Sequence, residues 1–279
     1  MIGFIADYEF DWGFQARIVG LSKTSPSFLY PPPTTFLGAL AEAVAKENEI
    51  GESKARELMA KLSENLCAIG WKALNCVPLK YSDINRLITI RKVGVKEKMT
   101  KKDIQILAPH PEYMDKSFDS PARGKTILSS LNEKAPTIRW FLVFKEPRIT
   151  LNGRKIEICG DLFWKIHRIG SKESRVSAVN VEKVDVQAKK GVVQTTYSFP
   201  VDFGIKELGW INQKWDFEVY MNPFAQHKDP ISSYLSGKNA IPFRVPIVVN
   251  PKTLPEYRLE VENYVAYTSG EETVIGCQK

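Results

Sequence analysis

The chain has 279 residues and a formal net charge of +7, a length that suits one large domain or two small ones. It contains no run of about 18 apolar residues, and its N-terminus carries early acids, so we expect neither a membrane span nor a signal peptide. The four cysteines are scattered without a CxxC pair, which argues against a zinc ribbon or a redox motif. We therefore expect a cytoplasmic protein with reduced thiols, no metal and no cofactor.

Positive charge is concentrated in the middle of the chain. The most basic stretches are residues 86–102 (RLITIRKVGVKEKMTKK), which include Arg91 and Lys92, and residues 164–177 (WKIHRIGSKESRVS). A localised basic surface is typical of nucleic-acid-binding proteins. A solvated, lysine-rich surface gives the same pattern. Charge alone leaves both interpretations open.

The N-terminal third predicts a long strand followed by two helices. Apolar residues alternate with polar ones over positions 2–18, which predicts a strand with one buried and one wet face, Asp7 lying on the wet face and Gly13 marking a bulge. Three prolines at 31–33 then stiffen the approach to a helix that Thr34 or Thr35 could cap. Such a helix start suits a phosphate, although a well-capped core helix is the plainer interpretation. A second helix is predicted over residues 53–70.

The remaining chain predicts strands around one long insertion. Residues 84–130 have a charged centre and no periodic core face, and we interpret them as a long protruding hairpin or insertion. Strands with a turn at Asn152-Gly153 follow. A short helix, a Gly-Ser turn, a Val-rich strand and a β-rich remainder complete the chain. The order of elements predicts an α+β fold with an antiparallel sheet.

Catalytic signatures are absent from the sequence, which has no P-loop, GxSxG, HExxH or GxGxxG motif. The three histidines are too dispersed for an evident metal cluster. His167 lies close in sequence to Lys165 and Arg168, and such a set could cleave RNA at the 2′-hydroxyl by general acid–base catalysis. A structural or phosphate-contacting role for His167 is the interpretation that we favour.

The segment HRIGSKESR, residues 167–175, has a simpler use as an anion-binding turn. Gly170 and Ser171 allow a tight turn whose N–H groups can face an anion. Lys172 and Arg175 can reach phosphates, while Ser171 and Ser174 supply hydroxyl groups. A hairpin turn with solvated charges is the alternative.

Two stretches together resemble a known family. Residues 14–44 (FQARIVGLSKTSPSFLYPPPTTFLGALAEAV) and 166–181 (IHRIGSKESRVSAVNV) are similar to the N-terminal signature and the glycine loop of the CasD (Cas-five) family of CRISPR-associated RAMP proteins, most like its archaeal type I-A form. The resemblance implies a ferredoxin-like (RRM-like) RAMP domain in residues 1–160, with a β-hairpin thumb at about 84–130. Residues 161–279 would supply the glycine loop and a β-rich half of the same compact unit.

The resemblance also implies a function in antiviral defence. The chain would be a non-catalytic subunit of a type I Cascade surveillance complex that holds the 5′ handle of CRISPR RNA. It would cap the filament of backbone subunits, contact the large subunit and meet target DNA only through the complex. The tyrosine, lysine and histidine set with which one subtype cleaves repeat RNA does not map onto this sequence, which argues against cleavage.

The candidate RNA-binding residues come from the basic stretches, the helix start and the glycine loop. They are Arg17, Thr34, Thr35, Arg91, Lys92, His167, Arg168, Gly170, Ser171, Lys172, Ser174 and Arg175. Two alternatives to a non-catalytic RNA-binding subunit stay open. One is a metal-independent CRISPR repeat RNA endonuclease of the same superfamily. The other is a protein-only scaffold whose basic surface binds an acidic partner.

Overall fold

The computed structural model describes residues 1–16, 18, 26–82, 89–90, 117–118, 124–201, 204–225, 230–250 and 252–277. In this part of the chain antiparallel strands dominate and helices are few, which confirms the predicted α+β class. The helices are α1 (Pro33–Glu47), α2 (Ala55–Asn65), α3 (Gly160–Trp164) and α4 (Pro230–Leu235). The strands are β1 (Ile2–Phe10), β2 (Gly13–Phe14), β3 (Leu66–Ala73), β4 (Cys76–Ser82), β5 (Thr89–Ile90), β6 (Ser117–Phe118), β7 (Gly124–Ser130), β8 (Thr137–Phe144), β9 (Arg148–Leu151), β10 (Arg154–Glu157), β11 (Val176–Val184), β12 (Gln187–Thr195), β13 (Phe199–Pro200), β14 (Ile205–Asn212), β15 (Lys214–Met221), β16 (Ala240–Ile247), β17 (Glu256–Ser269) and β18 (Glu272–Cys277).

The main sheet has the strand order β11–β1–β8–β3–β18–β17–β12, and β14 also pairs with β17. All these neighbours are antiparallel. Helices α1, α2 and α3 pack against one face of the sheet in a continuous hydrophobic core. Phe36 of α1 stacks on Trp140 with ring centroids 4.3 Å apart, and Phe163 of α3 stacks on Phe4 at 4.7 Å. Aromatic packing therefore fixes the position of α1, whose start faces the candidate site.

The opposite face of β1 is buried, so the predicted wet face is wrong at Asp7. The Arg139 guanidinium donates to both Asp7 carboxylate oxygens, at 2.7 and 2.8 Å, and to Glu272 at 2.8 Å. Lys72 donates to the other Glu272 oxygen at 2.6 Å, and Asp7 and Lys72 are both buried. We call these four residues the charge network. Glu272 belongs to β18, which is far from β1 in the sequence. The alternation of residues within β1 cannot reveal that so distant a strand helps to bury Asp7.

The second helix is shorter than the sequence predicts, since α2 ends at Asn65 and the residues that follow form β3. A short, continuous apolar run fits a buried helix or a buried strand equally well. Here β3 is buried along its whole length and pairs with β8 and β18. Gly70 is needed for close packing, because a Cβ atom there would lie 2.8 Å from the Ser198 carbonyl oxygen.

Strands β4 and β7 form an antiparallel ribbon, to which β2 adds a third strand. Strands β5 and β6, which lie between β4 and β7 in the sequence, pair with each other. The other residues from 83 to 123 lie outside the described part, so most of the predicted thumb does too. The predicted Asn152-Gly153 turn is confirmed between β9 and β10, with positive φ angles of 49° and 79°. Among the described residues, none of the helices could cross a membrane.

Replacing Glu272 by Gln should destabilise the protein by about 1–3 kcal/mol, because Lys72 and Arg139 lose their shared carboxylate. Burial tends to raise the pKa of Glu272, but Lys72 and Arg139 outweigh it and lower the pKa below its usual value. A carboxyl whose pKa is lowered by folding stabilises the native state above its unfolded pKa. This contribution disappears as the pH falls through the folded pKa. Urea unfolding of wild type and variant from about pH 7 to about pH 3 measures both effects.

The matched control is Glu271→Gln, since Glu271 is the exposed neighbour of Glu272. The control should keep the stability and the acid sensitivity of the wild type. Glu272→Gln should lose less stability than wild type as the pH falls. Equal pH dependence of Glu272→Gln and wild type would contradict the role given to the charge network.

Candidate nucleic-acid interface

The approach to α1 is held by a buried carboxylate from the C-terminal half. Glu218 of β15 accepts hydrogen bonds from the Leu29 amide, at 2.7 and 2.9 Å, and from the Tyr30 amide at 3.3 Å. Lys80 of β4 pairs with the same carboxylate at 3.1 Å. The Tyr30 hydroxyl donates to the Pro246 carbonyl at 2.6 Å. Before the three prolines, the backbone of Leu29 and Tyr30 and the side chain of Tyr30 are therefore fixed by hydrogen bonds.

Helix α1 begins with proline instead of a threonine cap. Pro32 is the N-cap residue, and no side chain makes a capping hydrogen bond. The Thr35 and Phe36 amides both donate to the Pro32 carbonyl, at 2.9 and 3.2 Å. The prediction that Thr34 or Thr35 caps the helix is wrong, because both residues already lie in the first helical turn. Since prolines have no N–H group, the Thr34 amide is the first donor of the helix.

The glycine loop, which we define as residues 167–175, is held against the segment after β2. The Ser171 amide donates to the Gln15 carbonyl at 3.1 Å, and the Gln15 amide donates to the Ser174 hydroxyl at 3.0 Å. Gly170 has a φ of +125°, and a Cβ atom there would lie 3.1 Å from the Gln15 carbonyl oxygen. Both the backbone conformation and the close approach therefore require glycine.

The next residue, Ala16, ties the same segment to the approach to α1. Its carbonyl accepts hydrogen bonds from the Phe28 amide at 3.4 Å and from the Ser27 hydroxyl at 3.2 Å. Gln15 and Ala16 thus contact the glycine loop on one side and the approach to α1 on the other. We call these two residues the junction. Its hydrogen bonds hold the glycine loop and the approach to α1 to one short stretch of chain.

The amide and hydroxyl groups of Ser171 and Ser174 mainly stabilise the glycine loop itself. Ser174 is fully buried, and its hydroxyl lies 3.1 Å from that of Ser171. The Ser171 and Ser174 amides are already bonded to the carbonyls of Gln15 and Ser171, respectively. These two amides are therefore engaged within the protein. Ser174 lies beneath the surface, where its hydroxyl positions the loop.

The exposed charges of the glycine loop are only weakly paired. The Lys172 and Arg175 side chains are 83% and 74% exposed, with Glu173 at 3.8 Å and Asp11 at 3.4 Å. The pKa of Glu173 is lowered by a hydrogen bond from its own amide, then by one from the Ser171 hydroxyl, with a further contribution from nearby lysines. Exposed ion pairs of this kind contribute little to stability, so both cations can exchange their carboxylate partners for phosphates.

A cleft of about 250 Å3 opens where the helix start meets the glycine loop. It brings together three of the predicted RNA-binding residues, Thr34, Thr35 and Gly170. The other lining residues, which were not among the predicted RNA-binding residues, are Gln15, Ala16, Phe28, Pro32, Met221 and Tyr234. Met221 and Tyr234 come from β15 and α4, so no local sequence signal could have placed them here. Phe28 and Gln15 lie inside the stretch that carries the family resemblance.

His167 and Arg168 lie in a different place. With α1 they line a second groove of about 160 Å3, to which Glu42, Lys46 and Lys165 also contribute. Glu42 pairs with Arg168 at 2.9 Å and with Lys46 at 2.8 Å. Burial tends to raise the pKa of Glu42, but these two cations outweigh it and lower that pKa. Arg168 therefore ties the glycine loop to α1 and is already neutralised by a carboxylate.

Three predicted residues, Arg17, Arg91 and Lys92, lie outside the described residues. Trp12 was not among the predicted RNA-binding residues. Its indole N–H donates to the Glu173 carbonyl at 2.9 Å, and its own carbonyl accepts the Leu128 amide at 3.0 Å. Trp12 therefore joins the glycine loop to the β4–β7 ribbon. Among the described residues there is no group of three or more His, Cys, Asp or Glu side chains that could hold a metal ion.

Comparison with known proteins gives consistent matches over most of the chain. Residues 10–244 match the profile of the CRISPR-associated protein (Cas_Cas5) family. CRISPR-associated protein Cas5 2 of Saccharolobus solfataricus is 24% identical over 242 residues, which are 81% of this chain and 82% of that protein. CRISPR system aCascade subunit Cas5 1 of the same organism is 25% identical over 265 residues, or 95% of each chain.

A solved structure, described as that of a CRISPR protein from Archaeoglobus fulgidus, is 52% identical to this chain. The match between the two structures covers 100% of both chains, with a TM-score of 0.74. The family profile spans both halves of the chain, including the helix start, the junction and the glycine loop. As the sequence resemblance predicts, the chain belongs to the Cas5 family of CRISPR-associated proteins.

Proposed function

We propose that this chain is a non-catalytic RNA-binding subunit of a type I Cascade complex, of the I-A form, and that it holds the 5′ handle of CRISPR RNA. The observation that carries the proposal is the cleft, where the start of α1 and the glycine loop meet in a member of the Cas5 family. A bent single strand of RNA needs phosphate contacts and places for its splayed bases. The cleft and its surroundings offer both.

Phosphate binding is supported by the helix start and the exposed cations. The Thr34 amide and the Thr34 and Thr35 hydroxyls stand at the positive end of the α1 dipole. Lys172 and Arg175 extend from the loop that borders the same cleft, and their weak pairs leave them available for phosphates. The prolines before α1 have a role in this account, because they hold the helix start in one orientation.

Base binding is supported by the apolar part of the cleft. Phe28 and Met221 supply apolar surface, and Tyr234 adds an aromatic ring whose hydroxyl donates to the Val219 carbonyl at 3.0 Å. Apolar and aromatic walls with a few polar groups are typical of a site for an unstacked nucleobase. The combination of hydrogen-bond donors and apolar walls in one cleft favours a nucleotide over a purely anionic ligand.

The place in the complex is also part of the proposal. The strand order β11–β1–β8–β3, with α1 between β1 and β3 and α3 between β8 and β11, supports a ferredoxin-like core. The antiparallel β4–β7 ribbon supports a thumb that grows from its end. A relative named as an aCascade subunit supports membership of such a complex. In this cytoplasmic assembly the chain caps the backbone filament, contacts the large subunit and meets target DNA only indirectly.

Reversing the charge of Lys172 and Arg175 together, as Lys172→Glu with Arg175→Glu, should weaken binding of single-stranded handle RNA about tenfold or more at low salt. Each lost phosphate contact should also reduce the slope of log affinity against log salt by about 0.7. Fluorescence anisotropy over a salt series measures both quantities. Both side chains are exposed, so the fold should be unchanged by circular dichroism.

The charge-matched control is Lys214→Glu with Lys252→Glu. Both lysines are exposed, and Lys214 lies at the end of β15 opposite the cleft residue Met221. This control changes the net charge equally and should keep most of the affinity. Equal affinity of the Lys172/Arg175 variant and the wild type, with intact folds, would refute the proposal and favour a protein-only scaffold.

A repeat RNA endonuclease is the second candidate, because the exposed His167 ring shares the second groove with Lys165 and Arg168. The pairing of these two cations with Glu47 and Glu42 argues against it, since neither cation is left to stabilise a developing charge on phosphate. We expect the purified chain to leave repeat RNA intact in the presence of EDTA. Denaturing gel electrophoresis checks this, with His167→Ala as the control variant. Cleavage by wild type that His167→Ala abolishes would establish the endonuclease instead.

A further inference from the structure

The β4–β7 ribbon has an apolar face that the described residues leave exposed. Leu79, Tyr81 and Ile127 are 50%, 52% and 40% exposed. Leu79 lies directly opposite Ile127, and Tyr81 lies directly opposite Lys125, so these four side chains share one face of the ribbon. We call this face the strand platform. On the other face of the ribbon, Cys76, Pro78, Thr126 and Leu128 are buried in the protein.

The strand platform adjoins the glycine loop. The Leu128 amide of β7 donates to the Trp12 carbonyl at 3.0 Å, and the Trp12 indole donates to the Glu173 carbonyl at 2.9 Å. One residue therefore connects the ribbon to the loop. In addition, the positive charge of Lys125 contributes to lowering the pKa of the Glu173 carboxyl, as expected if the platform lysine lies near the loop. Lys172 directly precedes Glu173 in the same loop, so an aromatic surface and exposed cations are neighbours.

The charge around the platform favours a polyanion as its occupant. Lys125 lies on the platform itself, and Lys172 and Arg175 lie on the adjoining loop. A single strand of nucleic acid matches both the positive charge and the apolar side chains of this surface, because it has anionic phosphates and bases with aromatic faces. A neutral apolar protein surface would match the aliphatic side chains but would bring no negative charge to the surrounding cations.

We propose that the strand platform is a base-stacking surface for single-stranded RNA, on which a base stacks against Tyr81 while Leu79 and Ile127 support its edge. The proposal rests on the proposed function and extends the RNA path beyond the cleft, across the glycine loop and onto the ribbon. Every base has an aromatic face, so such a platform tolerates any sequence. Tyr81 then supplies affinity, while the cleft supplies selectivity.

Replacing Tyr81 by Ala should weaken binding of a short single-stranded RNA about fivefold or more, the loss expected for one base–aromatic stack. Tyr81→Phe keeps the ring and should bind like wild type. Because neither change removes a charge, the salt dependence should stay that of wild type. Bases in a duplex are already stacked and cannot reach the ring, so duplex RNA of the same sequence should bind both variants equally. Anisotropy with the full-length chain measures the affinities, and an RNA labelled with 2-aminopurine reports the stacking directly.

The matched control is Trp210→Ala, which removes a comparably exposed aromatic ring from β14 in another sheet and should not change the affinity. If Tyr81→Ala binds like wild type while the Lys172/Arg175 charge reversal weakens binding, the platform is refuted and the proposed function stands. If neither variant weakens binding, both are refuted. If Tyr81→Ala keeps its RNA affinity but no longer assembles with its protein partners, the platform is a protein interface, which also overturns the proposal.

Discussion

The hydrogen bonds of the junction, Gln15 and Ala16, are the constraint on which the candidate interface depends. Gln15 exchanges backbone bonds with the glycine loop, and Ala16 accepts bonds from the approach to α1. Two walls of the cleft therefore share a single backbone segment. Gly170 makes this possible, because any side chain at its φ of +125° would meet the Gln15 carbonyl. Without the junction, the loop would be an ordinary hairpin turn with solvated charges.

The C-terminal half supplies a second constraint. Glu218 holds the backbone amides that precede the prolines, and Met221 and Tyr234 complete the cleft. On the other side of the main sheet, Glu272 closes the charge network with Arg139 and Lys72. In both places a carboxylate from the C-terminal half bonds groups of the N-terminal half. The β-rich C-terminal half thus fixes the approach to α1 and supplies two residues that line the cleft.

Local patterns in the sequence were enough to predict the elements that local forces determine. Alternation predicts β1, although this strand ends at Phe10 and does not continue to residue 18 as predicted. The Asn-Gly pair predicts the β9–β10 turn, and the Gly-Ser pair predicts the tight turn at Gly170. The same patterns fail where a distant strand decides the outcome. Leu66 to Gly70 form a strand because β8 and β18 flank them, and Asp7 is buried because Glu272 and Arg139 complete its network. The threonine cap fails for a local reason, since the prolines themselves begin the helix.

The candidate site shows the same division. Thr34, Thr35 and Gly170 could be singled out from proline stiffening and a glycine turn, and the structure brings them together. Trp12 and Tyr234 could not, because their roles arise from contacts between segments far apart in the chain. His167 and Arg168 belong to the glycine loop, yet they line another groove, because Arg168 pairs with Glu42 of α1. Proximity in sequence was therefore a poor guide to proximity at the site.

The central claim is that RNA passes through the cleft between the start of α1 and the glycine loop. Ultraviolet crosslinking of the native complex, followed by mass spectrometry of the crosslinked peptides, tests it most directly. The account predicts nucleotide adducts in the peptides that contain residues 26–35 and 167–175. Adducts confined to peptides from β12 to β18, with none in those two segments, would contradict it.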